Sequence, residues 1–151
     1  MIIDFHTHVH PPEDAAEPLW QGRSPMTIEN VLKAQEIGGV DISFISNPLH
    51  HLNRMDRDQQ YQAVDRSNSY LVSHQEKHAS IFAFACAVPW GGDRFLRQFE
   101  RAIKQSGMLG AWIQACGGAR RNGGVARTRA TCIAHPRCVG NAGWMIIRRR
   151  A

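Results

Sequence analysis

The chain has 151 residues, of which 43% are hydrophobic and 21% charged, a composition that suits a globular domain with a sizeable core and excludes a fully disordered one. No apolar run approaches the ~20 residues of a membrane span. Met1-Ile2-Ile3-Asp4 lacks the basic start and long apolar stretch of a secretory leader, so a cytoplasmic protein is expected. The net charge of +5 averages two unlike parts: residues 1–100 hold all 13 acids and 8 bases, whereas residues 101–151 hold 10 bases and no acid.

In chain order, Met1 to Phe5 is a short apolar run and a buried-strand candidate. Pro11-Pro12 through Pro25 is a loop. Ser24-Pro25 supplies a cap and a first-turn proline for a helix in which Ile28, Val31, Leu32 and Ile37 recur at helical spacing, ended by Gly38-Gly39. Val40 to Ser46 is the next strand. Asp58 to Lys77 reads as a helix, Ser80 to Val88 as a third strand and Asp93 to Gln105 as a helix with Phe95, Leu96, Phe99 and Ile103 on one side. Met108 to Ile113 is a fourth strand. The alternation βαβαβαβ, with near-continuous apolar strands, predicts an α/β fold whose parallel sheet is covered by helices.

Asp4-Phe5-His6-Thr7-His8 carries the chemistry. Side chains alternate along a strand, so Asp4, His6 and His8 are expected on one face. Two imidazoles at i and i+2 converge on one point, an arrangement suited to a metal ion. The motif also ends a strand, where sites lie in α/β barrels.

Met1 to His8 resembles the opening of the amidohydrolase superfamily, in the amidohydrolase-related branch that includes aminocarboxymuconate-semialdehyde decarboxylase and resorcylate-type decarboxylases. Gly39-Val40-Asp41 with Ser46-Asn47-Pro48 is similar to that family's second strand. Asn68-Ser69-Tyr70-Leu71 followed by His78 to Ala85 is similar to its third, and Gly107 to Ile113 to its fourth. The resemblance covers residues 1–114. It implies the first half of a metal-dependent (β/α)₈ TIM barrel and a divalent metal, zinc by preference, with His6 and His8 as first-strand ligands. It also implies hydrolysis of a C–N or ester bond, or non-oxidative decarboxylation, of a small carboxylic acid or amide. The family draws further ligands from its fifth, sixth and eighth strands.

A complete barrel takes ~250 residues, so this chain is expected to be truncated, with two ligands and no complete site, and to be inactive by itself. Exposed barrel edges would favour homo-oligomers. Asn47, at the end of the second strand, is expected to contact a polar substrate and Trp90 to line the pocket. His10, before Pro11-Pro12, reads as a solvated loop residue or an addition to the metal site. His50 and His51 follow the second strand but cannot both point inward. His74 and His78 read as surface residues, and Cys86 as a core residue.

Residues 115–151 admit three readings. The first is a tail translated out of frame: Trp144-Met145-Ile146 is encoded TGG ATG ATH, which reads Asp-Asp when moved by two bases. The second is a basic tail with Arg120, Arg121, Arg127, Arg129 and Arg148 to Arg150 on nucleic-acid phosphates, which would make the chain a non-enzymatic binding protein. The third is a small zinc site from Cys116, Cys132, His135 and Cys138.

Overall fold

The computed structural model describes residues 1–15, 26–49, 52–88, 91–113 and 144–147. The elements are β1 (Ile3–His8), α1 (Pro12–Ala15), α2 (Ile28–Gly38), β2 (Ile42–Ser46), a 3₁₀ turn (Leu52–Arg54), α3 (Arg57–Lys77), β3 (Ile81–Cys86), α4 (Asp93–Lys104), β4 (Gly110–Ile113) and β5 (Trp144–Ile147). The sheet order is β1-β2-β3-β4-β5. The first four strands run parallel and curl into a half-barrel, the architecture read from the sequence. β5 runs antiparallel to β4, pairing Gly110 with Ile147 and Ile113 with Trp144. No element was expected there; the backbone of an apolar run at the end of the basic segment forms it.

Local signals set the helix ends. α2 begins three residues later than Ser24-Pro25 implied, because Thr27 accepts the Asn30 amide at 3.4 Å and so caps the helix. Gly39 ends it in the left-handed conformation, at φ 63°. α3 opens with a reciprocal box: the Asp56 carboxylate accepts the Gln59 amide at 2.8 Å, and the Gln59 side chain accepts the Asp56 amide at 3.0 Å.

Residues paired across parallel neighbours share a face, so the register sorts the side chains. Ser43, Ile45, Ile81, Ala83 and Ala85 turn outward to the helices, with Ser43 accepting a hydrogen bond from Gln35 of α2 at 2.9 Å. There the four apolar ones join Val31, Val64, Leu71, Phe95 and Ala102 in one buried cluster. The opposite, concave face carries Phe44, Phe82 and Phe84, which stack at 5.0–5.5 Å between ring centroids. Phe5 stacks on Phe44 at 4.5 Å and remains 43% exposed. The molecule therefore has a closed apolar layer outside the sheet and an aromatic face inside it that is exposed at Phe5. No described helix is long and apolar enough to cross a membrane.

His74 departs from its expected surface place. It continues the buried stripe of α3 formed by Val64, Ser67, Asn68 and Leu71, and is 8% exposed. Its ring meets Tyr70 edge-on at 4.5 Å, and neither ring nitrogen has a hydrogen-bond partner among the described residues. Burial, with Lys77 and His78 adding to it, holds its pKa below the usual histidine value; Glu29 opposes weakly. The folded state thus keeps His74 neutral where the unfolded chain takes up a proton near 6.5. Its contribution to stability is whole above that value and shrinks as pH falls below it. Denaturant midpoints followed from neutral pH down to mildly acidic pH should drop less in His74→Leu than in the native chain.

Candidate functional site

The register of β1 against β2 is broken once. Ile3 and Asp4 pair with Ile42 and Ser43, and Thr7 and His8 pair with Ile45 and Ser46. Phe5 and His6 together therefore oppose the single residue Phe44. This bulge corrects the expectation that Asp4, His6 and His8 share a face. Asp4 falls on the helix side with Ser43, while Phe5, His6 and His8 turn to the concave face. An extra residue in one strand re-aims the side chains that follow it.

Asp4 holds the bulge. One carboxylate oxygen accepts the His6 backbone N–H at 3.0 Å, and the other accepts the Thr7 hydroxyl. The acid of the motif thus satisfies a backbone donor freed by the broken ladder, and the strand bends around it.

The result is a convergent pair. His6 Nε2 and His8 Nε2 lie 3.1 Å apart, with the rings edge to face at 4.9 Å. Two imidazoles bound to one ion at ~2.0–2.1 Å stand about 3.3–3.4 Å apart at the tetrahedral angle and about 2.9 Å apart at a right angle. The observed spacing falls between these values, so the distance between the two nitrogens is compatible with a shared metal. Among the described residues no group of three or more His, Cys, Asp or Glu side chains is placed to hold a metal.

Trp112 closes one side of the pair. It lies on β4 opposite Cys86, and its ring centroid is 4.7 Å from that of His6 and 5.1 Å from that of His8. Its indole N–H is buried and finds no partner among the described residues. Sequence reading placed Trp112 in a strand without assigning it to the site. The available signal was its i+2 spacing from Gly110, whose partner Phe84 faces inward.

Beneath the pair, side chains tie the strand ends together. Asn47 is 1% exposed. Its amide donates to Asp14 at 2.6 Å, and its carbonyl accepts the Leu49 amide at 3.2 Å and lies 3.3 Å from His10 Nδ1. The Asn47 amide group is thus engaged by protein neighbours on both ends. His10 is buried too, in place of the solvated position its loop sequence implied. The Cys86 thiol donates to the main-chain carbonyl oxygen of Asn47 at 3.0 Å and lies 3.3 Å from Ser67 Oγ. Burial pushes its pKa up to about 11, with hydrogen bonding at Ser67 and the Asn47 main chain offsetting only part of it, so it remains a protonated core thiol. Asn68 of α3 clamps the Cys86 backbone, accepting its N–H at 2.7 Å and donating to its carbonyl at 3.3 Å. Trp90, His50, His51 and the histidine and cysteines proposed for a zinc site after residue 114 lie outside the described residues, as do the tail arginines.

The sequence matches no family model and no curated protein. The fold does match solved structures. The chain is similar to 2,6-dihydroxybenzoate decarboxylase from Rhizobium, with a TM-score of 0.61 and 19% identity over 73% of this chain and 37% of that one. It is similar to 5-carboxyvanillate decarboxylase from Sphingomonas paucimobilis, with a TM-score of 0.62 and 15% identity over 73% and 41%. It is also similar to a dihydroxybenzoic acid decarboxylase from Polaromonas sp. JS666 with bound manganese and the inhibitor 2-nitroresorcinol, with a TM-score of 0.56 and 20% identity over 73% and 37%. The chain spans about two-fifths of these proteins, and its half-barrel has the fold of part of their TIM barrels.

Asp4→Ala leaves the His6 N–H of the bulge without its acceptor. A loss of about 0.5–1.5 kcal/mol is expected from chemical denaturation, since the bond is solvent-exposed, together with loss of the close His6–His8 ring contacts in nuclear Overhauser spectra. Asp4→Asn, which keeps an acceptor oxygen, should retain most of both.

Proposed function

We propose that this chain supplies the first-strand part of a divalent-metal site in an amidohydrolase-type barrel that decarboxylates a small carboxylic acid or hydrolyses a C–N or ester bond. The observation that carries the reading is the 3.1 Å approach of His6 Nε2 and His8 Nε2. Their position at the C-terminal end of β1 agrees with where α/β barrels build their sites. The similar structures favour decarboxylation of an aromatic acid, since those proteins are decarboxylases of dihydroxybenzoate and carboxyvanillate.

When bound, the metal supplies Lewis-acid polarisation of a carboxylate or carbonyl oxygen. His6 and His8 hold it. Trp112 walls the site on the β4 side, and its unpartnered indole N–H is a donor for an anionic oxygen of the substrate. The stacked phenylalanines give the site an apolar floor. Imidazole ligands suit zinc, and the manganese in one similar structure points to a site completed by oxygen donors. Two ligands make an incomplete site, so the remaining donors come from outside the described residues. The chain alone is proposed to bind metal without turning over substrate.

Titration of metal-depleted protein with Mn²⁺ and with Zn²⁺, read by calorimetry, tests this. One saturable site is expected, lost in His6→Ala and in His8→Ala. Binding that is unchanged in both variants would place the metal elsewhere and remove the basis of the reading.

A further inference from the structure

The two histidines are not equivalent. His8 and Ser46 are lateral partners on β1 and β2, and His8 Nδ1 lies 2.9 Å from Ser46 Oγ. Ser46 is 2% exposed, so water does not compete for its hydroxyl. That hydroxyl has a second neighbour, the Thr7 carbonyl oxygen, to which it donates at 3.5 Å.

A hydroxyl carries one proton, and a carbonyl can only accept. The Thr7 contact is the longer of the two, but only with the Ser46 proton turned toward Thr7, and Oγ accepting from His8 Nδ1–H, do both contacts serve as hydrogen bonds. A neutral imidazole protonated at Nδ1 has its lone pair on Nε2. The Nε2 of His8 is the atom that faces His6 at 3.1 Å. Without metal, the proton in that contact then belongs to His6 Nε2. His6 is exposed, and no hydrogen bond fixes its Nδ1 among the described residues, so its proton is free to move there.

We propose that Ser46 is a positioning residue that fixes His8 as the Nδ1–H tautomer and holds its Nε2 lone pair toward the site, while His6 changes tautomer to join it. Its use rests on the metal-site reading above; the tautomer itself does not. Oriented partners of this kind commonly set metal affinity by 10–100-fold, and here the orienting group is a neighbouring-strand hydroxyl.

The test uses the metal-free, full-length chain with ¹⁵N-labelled histidine at mildly alkaline pH. Long-range ¹H–¹⁵N correlation identifies the protonated nitrogen of each ring, with His8→Asn assigning the signals. His8 should show the Nδ1–H pattern in the native chain and in Ser46→Thr. In Ser46→Ala it should move toward the Nε2–H form, and Mn²⁺ and Zn²⁺ affinity should fall by about tenfold. Should Ser46→Ala fail to fold, Ser46→Cys, a poorer acceptor of similar size, gives the same comparison. An Nε2–H pattern in the native chain, or an unchanged pattern when the hydroxyl is removed, overturns the proposal. An Nδ1–H pattern that responds to Ser46 in a chain binding neither metal upholds it and discards the metal-site reading.

Discussion

The candidate site depends on a carboxylate gripping its own strand. Strict alternation would give Asp4, His6 and His8 a common face. The bulge at Phe5–His6 moves Asp4 to the helix side and leaves the two histidines together on the concave side. A bulge breaks part of the ladder and frees backbone groups, which are costly to leave unpaired. Asp4 meets that cost locally, accepting the His6 N–H and the Thr7 hydroxyl. The acid expected beside the two histidines is instead what permits them to converge.

The curled sheet then separates stability from chemistry. On the outer face Ile45, Leu71, Ile81 and Ala83 are almost wholly buried under three amphipathic helices. Burial at roughly 25 cal/mol per Å² makes this layer the main source of cohesion. On the concave face Phe84 is buried, but His6 and Phe5 at the β1 edge are exposed. Side chains there are positioned from below by a sheet already fixed on its other side.

Much of this was legible in the residues. Apolar strands alternating with amphipathic helices identified the four parallel strands, and the His-x-His pair was visible as a convergent motif at a strand end. The bulge was not, because one extra residue leaves no mark on a six-residue strand with histidine, threonine and aspartate in it. Either phase of Ile3 to His8 places some apolar residues inward. The burial of His10 and His74 is not legible for a related reason. Histidine is compatible with both surface and core, and whether a loop or a helix turn is covered depends on what packs over it. His74 sits three residues after Leu71, a helical neighbour that could have flagged it. Asn47 was legible as a polar strand-end residue, but its engagement by Asp14 and His10 depends on where α1 folds back, which local sequence does not fix.

The side-chain ties among the strand ends explain how so short a sheet can hold two rings in register. Parallel strands of four to six residues have few ladder bonds near their C-terminal ends, and those ends are where loops begin. Here Asn68 closes both backbone groups of Cys86, the Cys86 thiol reaches the Asn47 carbonyl, and Asn47 in turn fixes Leu49 and Asp14. The ties from Asn68 to Cys86, Cys86 to Asn47 and Asn47 to Asp14 cross from one segment to another, so loosening β3 would disturb the end of β2 and, through Ser46, the ring of His8. A buried polar network in which partners are mutually satisfied rigidifies its surroundings, and a site built on rigid strand ends keeps its geometry better than one on loops. Conversion of Cys86 to a thiolate would break this chain at its centre. Deep burial prevents that at ordinary pH by holding the thiol's pKa far above neutrality.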